Sequence, residues 1–315
     1  MLTARALHSP QPLPVTVSRR AVLLGSAGAV AAVAAGGGAV EEEWLPGKYR
    51  LERRLRLLLG QDGAGTFPAV APSHVESGSF VSRHRLGTDV GWSVIYPADR
   101  PERLPVMVSL HGLGGDHTTA MDELGMDRFL PAAVAAGVPR FAIATVDGGT
   151  TYWHPRPDGE DAGAMVLDEL LPLLADQGLR TEHLAFHGWS MGGYGALRLA
   201  AILGAPRVRA VAALSPALWT NPDDASSSGF ADAAEYERFS VVGHQADLDG
   251  IRVRVDCGTG DPFYSADKAY VAGFDRPVTC TFRSGAHDPA YWTRMLPAQL
   301  AFVGAALSAG LSSGA

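Results

Sequence analysis

Cysteine is nearly absent: Cys257 and Cys280 are the only two in 315 residues. No C-x-x-C pair and no His-x-x-His spacing accompanies them, so a structural zinc site lacks a ligand set. Both thiols fall inside apolar runs expected to be strands. A free cysteine there behaves as a small buried hydrophobe, so two buried thiols are expected rather than a disulfide. Basic charge is scarce as well, with 26 Lys and Arg against 33 Asp and Glu. The first 40 residues carry Arg5, Arg19 and Arg20 and no carboxylate, which leaves 23 basic against 33 acidic side chains in residues 41–315. That balance argues against nucleic acid or an anionic membrane surface as the main partner, since both demand clustered Lys and Arg. No Gly-Lys-Ser or Gly-Lys-Thr follows any glycine run, so a phosphate-cradling loop is discounted. No internal repeat is visible.

What the first 40 residues do contain is a targeting pattern. Ser18-Arg19-Arg20-Ala21-Val22-Leu23-Leu24 looks like a twin-arginine export signal, with paired arginines ahead of a weakly apolar stretch that runs to Val40. Val22 stands where that pattern prefers Phe, and Leu24 where it often has Lys. Ala32-Val33-Ala34 offers a small-residue cleavage site. An uncleaved anchor is the other reading, since about 20 uncharged residues just span a bilayer. Eight Ala and five Gly in residues 21–40 make the stretch less apolar than a spanning helix normally is. The expected location is therefore secreted or cell-envelope, with the twin-arginine export machinery as a partner.

A chain of 315 residues with 47% hydrophobic content is long enough for one large core, so a single α/β domain is expected. Residues 44–59 read as a short basic amphipathic helix, to lie across the domain, act as a stalk or touch a membrane surface. Residues 61–77, rich in Gly, Pro, Ala and Ser, read as linker. The expected catalytic domain is residues 78–315. It opens with a hairpin over 78–86 and 90–96. Strands then alternate with helices: strands at 104–110, 141–146, 184–186, 208–214, 251–257 and 278–282, helices at 118–136, 162–175, after Gly192, 266–273 and 290–307. An irregular insertion of about 216–250 is placed as a cap after the sixth strand. Two hairpin strands followed by strand–helix alternation imply a mostly parallel eight-stranded sheet covered on both faces. With a nucleophile after the fifth strand, that is the α/β-hydrolase fold.

The nucleophile is read from Gly188-Trp189-Ser190-Met191-Gly192, the G-x-S-x-G pattern of a strand-to-helix elbow. A short apolar run precedes it and an Ala- and Leu-rich helical run follows. Glycines flank the serine because so sharp a turn leaves no room for a Cβ on either side. A free hydroxyl is a poor nucleophile, so the serine needs a base, and the base needs a carboxylate to hold its tautomer. Among ten histidines, His287 lies in the loop after the last strand, where the chain order requires the base. Asp261, in the loop after the preceding strand, is the expected acid; Asp256 is its rival but falls within the strand. The oxyanion would be held by the backbone amides of Met191, just after the serine, and of Leu113, in His111-Gly112-Leu113-Gly114-Gly115. His111, His154 and His187 are expected to be hydrogen-bonded structural residues. Tyr152, Trp153 and Trp219 are the candidate substrate walls. The substrate expected is a small-molecule or lipid ester, and neither metal nor cofactor enters the reading.

These blocks, together with Gly193, Val255-Asp256-Cys257-Gly258-Thr259-Gly260-Asp261-Pro262-Phe263 and Gly285-Ala286-His287 followed by Tyr291-Trp292, resemble the Putative esterase family of α/β-hydrolases. That family contains esterase D and the secreted mycolyltransferases, and the resemblance covers about residues 76–308. The block ending in Asp261 is similar to the esterase D pattern around its acid, whereas the mycolyltransferases carry theirs further along. Esterase D is cytosolic, a departure from the export signal seen here. The resemblance implies an exported carboxylesterase working through an acyl-enzyme. Acyl transfer to a sugar or lipid hydroxyl is a variant of the same chemistry. A catalytically inactive cell-surface binding protein on the same fold is the reading from a different class.

Overall fold

The structure, a computed structural model, describes residues 63–97 and 103–309. The expected signal and the amphipathic stretch at residues 44–59 lie outside the described residues. Eight strands form one sheet: β1 (Val75–Ser82), β2 (Thr88–Ile95), β3 (Pro105–Leu110), β4 (Ala142–Val146), β5 (Arg180–Trp189), β6 (Val208–Leu214), β7 (Arg252–Gly258) and β8 (Thr279–Arg283). Their spatial order is β1-β2-β4-β3-β5-β6-β7-β8. The β1–β2 and β2–β4 pairs are antiparallel and every other pair is parallel. β3 and β4 are buried at every position, as strands covered on both faces must be.

Helices supply the two covers. On one face lie α1 (Thr119–Asp122), α2 (Met126–Ala135) and α8 (Pro289–Ala309), whose Phe129, Leu130, Leu300 and Val303 pack with Met107 and Ile143. The other face takes α3 (Ala162–Met165), α4 (Leu171–Asp176), α5 (Met191–Leu203) and α7 (Tyr264–Ala272). Here Met165, Leu174, Leu197 and Tyr270 join Val108, Phe186 and Val211 in the larger core. The stretch between β6 and β7 holds α6 (Ala233–Phe239) and two short 3-10 turns, Pro222–Asp224 and Gln245–Leu248. It is the cap-like insertion, and the whole is the α/β-hydrolase arrangement expected.

Several boundaries differ from the expectation, each for a physical reason. β1 begins at Val75, inside the expected linker, and the residues before it are laid on the domain. There the Ser73 amide donates to the Asp127 carbonyl at 2.7 Å, and the Phe67 ring meets Phe129 edge-on at 6.1 Å. The helix expected over 118–136 is two, because Gly125 takes a left-handed conformation (φ 64°) that no continuous helix accommodates. Between α3 and α4 a π-helical turn, Val166–Leu170, widens the coil just ahead of Pro172. The wider turn tolerates a residue that lacks an N–H and would clash with the preceding turn. Cys257 and Cys280 are both free thiols. Cys257 is buried as expected, but Cys280 is exposed, because β8 is the edge strand and only partly covered.

Candidate active site

β3 and β5 are neighbours in the sheet although their following helices lie on opposite faces, and ligands of open α/β sheets gather at such a reversal. The register pairs Leu110 with Gly188. The His111–Gly115 turn therefore leaves the sheet beside Ser190.

Ser190 adopts φ 56° and ψ −124°, a strained conformation for a residue with a side chain. Its surroundings over-determine it. The Ser190 amide donates to the Leu214 carbonyl at 3.0 Å, while its own carbonyl accepts from the amides of Gly193, Tyr194 and Ala217. The flanking glycines are sterically required. A Cβ on Gly188 would run into the Gly192 carbonyl, and one on Gly192 would run into the carbonyl of Leu110. The elbow pattern in the sequence is the imprint of those two contacts.

The Ser190 hydroxyl is 2.9 Å from His287 Nε2, and His287 Nδ1 is 2.8 Å from Asp261 Oδ2. An ionised Asp261 requires the proton on Nδ1, which leaves Nε2 free to accept from the serine. Asp261 is fully buried, and its second oxygen accepts the Phe263 amide at 2.9 Å. His287 is packed edge-on by Phe263 and Trp292, with ring centroids 5.2 and 5.0 Å away. Asp256, the rival acid, is committed elsewhere, to Arg254 at 2.7 Å and Gln299 at 2.9 Å. Its place within β7 turns it away from the histidine.

The turn after β3 is held by a histidine. His111 Nδ1–H donates to the Gly112 carbonyl at 2.7 Å, and its Nε2 accepts the Gly148 amide at 2.8 Å. Burial pushes its pKa down, so the neutral ring these bonds need is the favoured one. The turn runs close to the serine: a Cβ on Gly112 would lie 3.3 Å from the Ser190 Cβ. Leu113, 51% exposed, lines the cleft there, and Met191 begins α5, where the first amides of a helix lack partners of their own. His187 and His154 are also structural, as expected. His187 bonds the Ser109 hydroxyl at 2.8 Å, and His154 reaches the Gly229 carbonyl at 2.7 Å.

The cleft over Ser190 has a volume of about 480 Å³. Of the three expected wall residues, Tyr152 lines it. Trp219 stands one layer back, with its ring 5.9 Å from Tyr152 and 5.3 Å from Phe263. Trp153 is a correction: it is fully buried, its ring filling the space over Gly148 and Gly195 and meeting His111 edge-on at 5.1 Å. It supports the turn from behind and has no face toward the cleft. Tyr152 and Trp153 both have positive φ, 58° and 57°, so the chain reverses there and sends adjacent aromatics to opposite sides.

Other lining residues were missed by sequence reasoning: Thr119, Glu123, Trp189, Phe263 and Trp292. Three of them sit beside the motifs, next to Ser190, two after Asp261 and five after His287. Thr119 and Glu123 are four apart just beyond the glycine turn, a spacing that puts both on one side of a helical turn. Also missed was Asp267, fully buried in α7. Burial first, then the charge of Asp261, pushes its carboxyl well above the usual range. Burial likewise pushes the Cys257 thiol up. Both shifts favour the uncharged form of the group. Among the described residues, the side chains that could gather around a metal ion are Asp116, His117 and Asp147. They are already partnered: Asp147 accepts from His117 at 2.7 Å and from the Gly91 amide at 2.9 Å, and Asp116 accepts from Thr118 and Thr119.

A family model described as "Putative esterase" matches residues 83–303. Among solved structures, a ferulic acid esterase is 22% identical, with a TM-score of 0.64 over 74% of this chain and 98% of that one. An S-formylglutathione hydrolase from Agrobacterium tumefaciens is 18% identical, with a TM-score of 0.64 over 78% and 99% of the two chains. A fluorophosphonate-binding serine hydrolase of Staphylococcus aureus is 18% identical, with a TM-score of 0.62 over 74% and 99%. No curated protein matches the chain.

Proposed function

The chain belongs to the Putative esterase family, which makes it an ester-cleaving enzyme of the carboxylesterase type, and from that premise we propose that it works through a Ser190–His287–Asp261 triad and an acyl-enzyme. The single observation that carries the reading is the unbroken line of hydrogen bonds from the Ser190 hydroxyl through His287 to buried Asp261, at 2.9 and 2.8 Å.

In this reading Ser190 Oγ attacks the ester carbonyl carbon as His287 Nε2 takes its proton. The carbonyl oxygen becomes an oxyanion, held by the amides of Met191 and Leu113. The tetrahedral species collapses, the bond to the alcohol oxygen breaks, and His287 returns the proton to the leaving alcohol. Water then repeats the sequence on the acyl-enzyme: His287 takes its proton, the Ser190 ester bond breaks, and the acid leaves. Asp261 stabilises the imidazolium formed in each half-reaction and stays ionised throughout. Preorganised amide donors of this kind contribute roughly 3–4 kcal/mol each to the barrier reduction in serine hydrolases.

The proposal includes export. The twin-arginine pattern of residues 18–24 supports a secreted or envelope enzyme, and among the described residues no helix is long and apolar enough to cross a membrane. Solved neighbours named for ferulic acid and for S-formylglutathione support a small-molecule ester or thioester substrate.

The test is hydrolysis of p-nitrophenyl esters of graded chain length by the wild type and by Ser190→Ala, with folding of both checked by circular dichroism. Turnover by the wild type and a loss of about 10⁴-fold or more in a folded Ser190→Ala is the expected result. Adding acceptor alcohols to the same assay separates hydrolysis from acyl transfer, because transfer yields a new ester at the expense of free acid. A folded wild type that turns over no ester, with or without acceptor, contradicts the proposal and favours a binding role.

A further inference from the structure

Among the described residues that line the cleft over Ser190, one Asp, Glu, Lys or Arg side chain is present, and it is a carboxylate. Of the residues that line it, Glu123 is acidic and none is Lys or Arg. Glu123 closes the last turn of α1, its amide bonded to the Thr119 carbonyl at 3.0 Å, and its side chain is exposed. Among the described residues it makes no ion pair. Its negative charge is therefore free to act on whatever enters.

The rest of the wall is aromatic. Tyr152, Trp189, Phe263 and Trp292 face the same space, and aromatic faces attract cations through their quadrupole. A carboxylate beside several rings is the chemistry that recognises an alkylammonium group. The acidic balance of residues 41–315, 33 carboxylates against 23 basic side chains, adds a long-range field of the same sign. An anionic substrate would meet that field and find no cation in the lining to offset it.

We propose that Glu123 is a specificity-determining residue and that the preferred esters carry a cationic, alkylammonium-type group on the part that reaches the mouth of the cleft. This inference rests on the proposed esterase reading, since it uses the cleft over Ser190 as the substrate site.

Three esters of one acyl group test it: the choline ester, its uncharged isostere the 3,3-dimethylbutyl ester, and the anionic isethionate ester. Each kcat/KM is divided by the ester's own alkaline hydrolysis rate, to remove differences in leaving-group reactivity. In the wild type the choline ester should exceed the 3,3-dimethylbutyl ester by about fivefold, and that in turn the isethionate ester, the size expected of a partly screened cation–carboxylate and cation–π contact. Glu123→Gln should bring the first ratio towards one, and Glu123→Lys should invert the order. A choline preference that is absent from the wild type, or that survives Glu123→Gln unchanged, overturns the proposal. So does a Glu123-dependent preference for an ester of a neutral polyol over the choline ester, which would make the carboxylate a hydroxyl acceptor. Should the wild type cleave none of the three, it is the esterase reading that fails. Binding of choline against 3,3-dimethylbutanol, followed by quenching of tryptophan fluorescence, then decides the charge preference without turnover. Tighter choline binding in the wild type than in Glu123→Gln supports it, and equal binding overturns it.

Discussion

The elbow around Ser190 and the insertion between β6 and β7 sit on the same side of the sheet, yet they are built on opposite terms. In the elbow the backbone decides everything. Gly188 and Gly192 face carbonyl oxygens that leave no volume for a side chain, and the strained Ser190 is tied by four backbone hydrogen bonds. In the insertion the side chains decide. Phe230 packs against Tyr152, His154, Tyr194 and Tyr236 at centroid distances of 5.2–6.1 Å, and two hydroxyls tie the insertion through its backbone carbonyls, Tyr194 to Phe239 and Tyr236 to Trp219. A region made by steric exclusion tolerates almost no change. One made by aromatic packing tolerates replacement of one ring by another of similar volume.

That contrast can be broken or sharpened by substitution, and the largest effect belongs to the charge that serves the elbow. Asp261→Asn keeps the shape of the triad but presents His287 with an amide. It should lower kcat by about 10³–10⁴-fold with little change in KM, as expected for a group acting mainly in the transition state. A loss below tenfold would mean that the buried carboxylate is not what orients the histidine. Next comes the steric claim. Gly192→Ala should cost about 4 kcal/mol or more, or prevent folding, since its methyl group would run into the backbone carbonyls of Leu110 and His111. A denaturation midpoint close to that of the wild type would show that the elbow has slack.

A third effect is tied to pH. Burial, offset in part by Gln299, pushes His187 on the elbow strand down to about 4, against an ordinary value of 6.5. Between pH 6.5 and 4 the unfolded chain binds a proton there that the folded chain does not. Stability should therefore fall as pH drops through that window, by up to about 3 kcal/mol from this residue, and be insensitive to it above pH 6.5. Burial lowers His111 and His154 as well, adding loss in the same direction. His187→Asn should flatten the profile between pH 6.5 and 4 in urea titrations, whereas an unchanged slope would assign the acid loss to other groups. The smallest effect is expected in the insertion. Tyr236→Phe removes the bond to the Trp219 carbonyl and keeps the ring, so it should cost about 1 kcal/mol and leave the elbow chemistry intact. A loss as large as that of Gly192→Ala would erase the distinction between the two regions.

The same distinction explains what could be read before the fold was known. Ser190, His287 and Asp261 were legible because a nucleophile elbow and the order of its partners are constraints on residue type and on chain direction. The structure brings these three side chains together. β6 was legible because a strand buried on both faces is a continuous apolar run, and the expected bounds of 208–214 match Val208–Leu214. Trp153 was misread because two consecutive positive φ values send it inward while Tyr152 faces the cleft. Glu123 was missed because an exposed carboxylate in a short helix carries no local signature, and its meaning comes from Trp189, Phe263 and Trp292, which are brought to it from other parts of the chain. Asp267 was invisible for a related reason: in sequence it is an ordinary helical aspartate, and its burial beside Asp261 is a product of packing.

The measurement that bears most directly on the central claim is intact-mass analysis of the protein after reaction with a fluorophosphonate, followed by peptide mapping, for the wild type, Ser190→Ala and His287→Ala. With Ser190 as nucleophile and His287 as its base, one adduct per wild-type chain is expected, mapped to Ser190, with no adduct on a folded Ser190→Ala and labelling slowed by orders of magnitude in a folded His287→Ala. An adduct at another residue, or labelling of Ser190 at the same rate without His287, would contradict it.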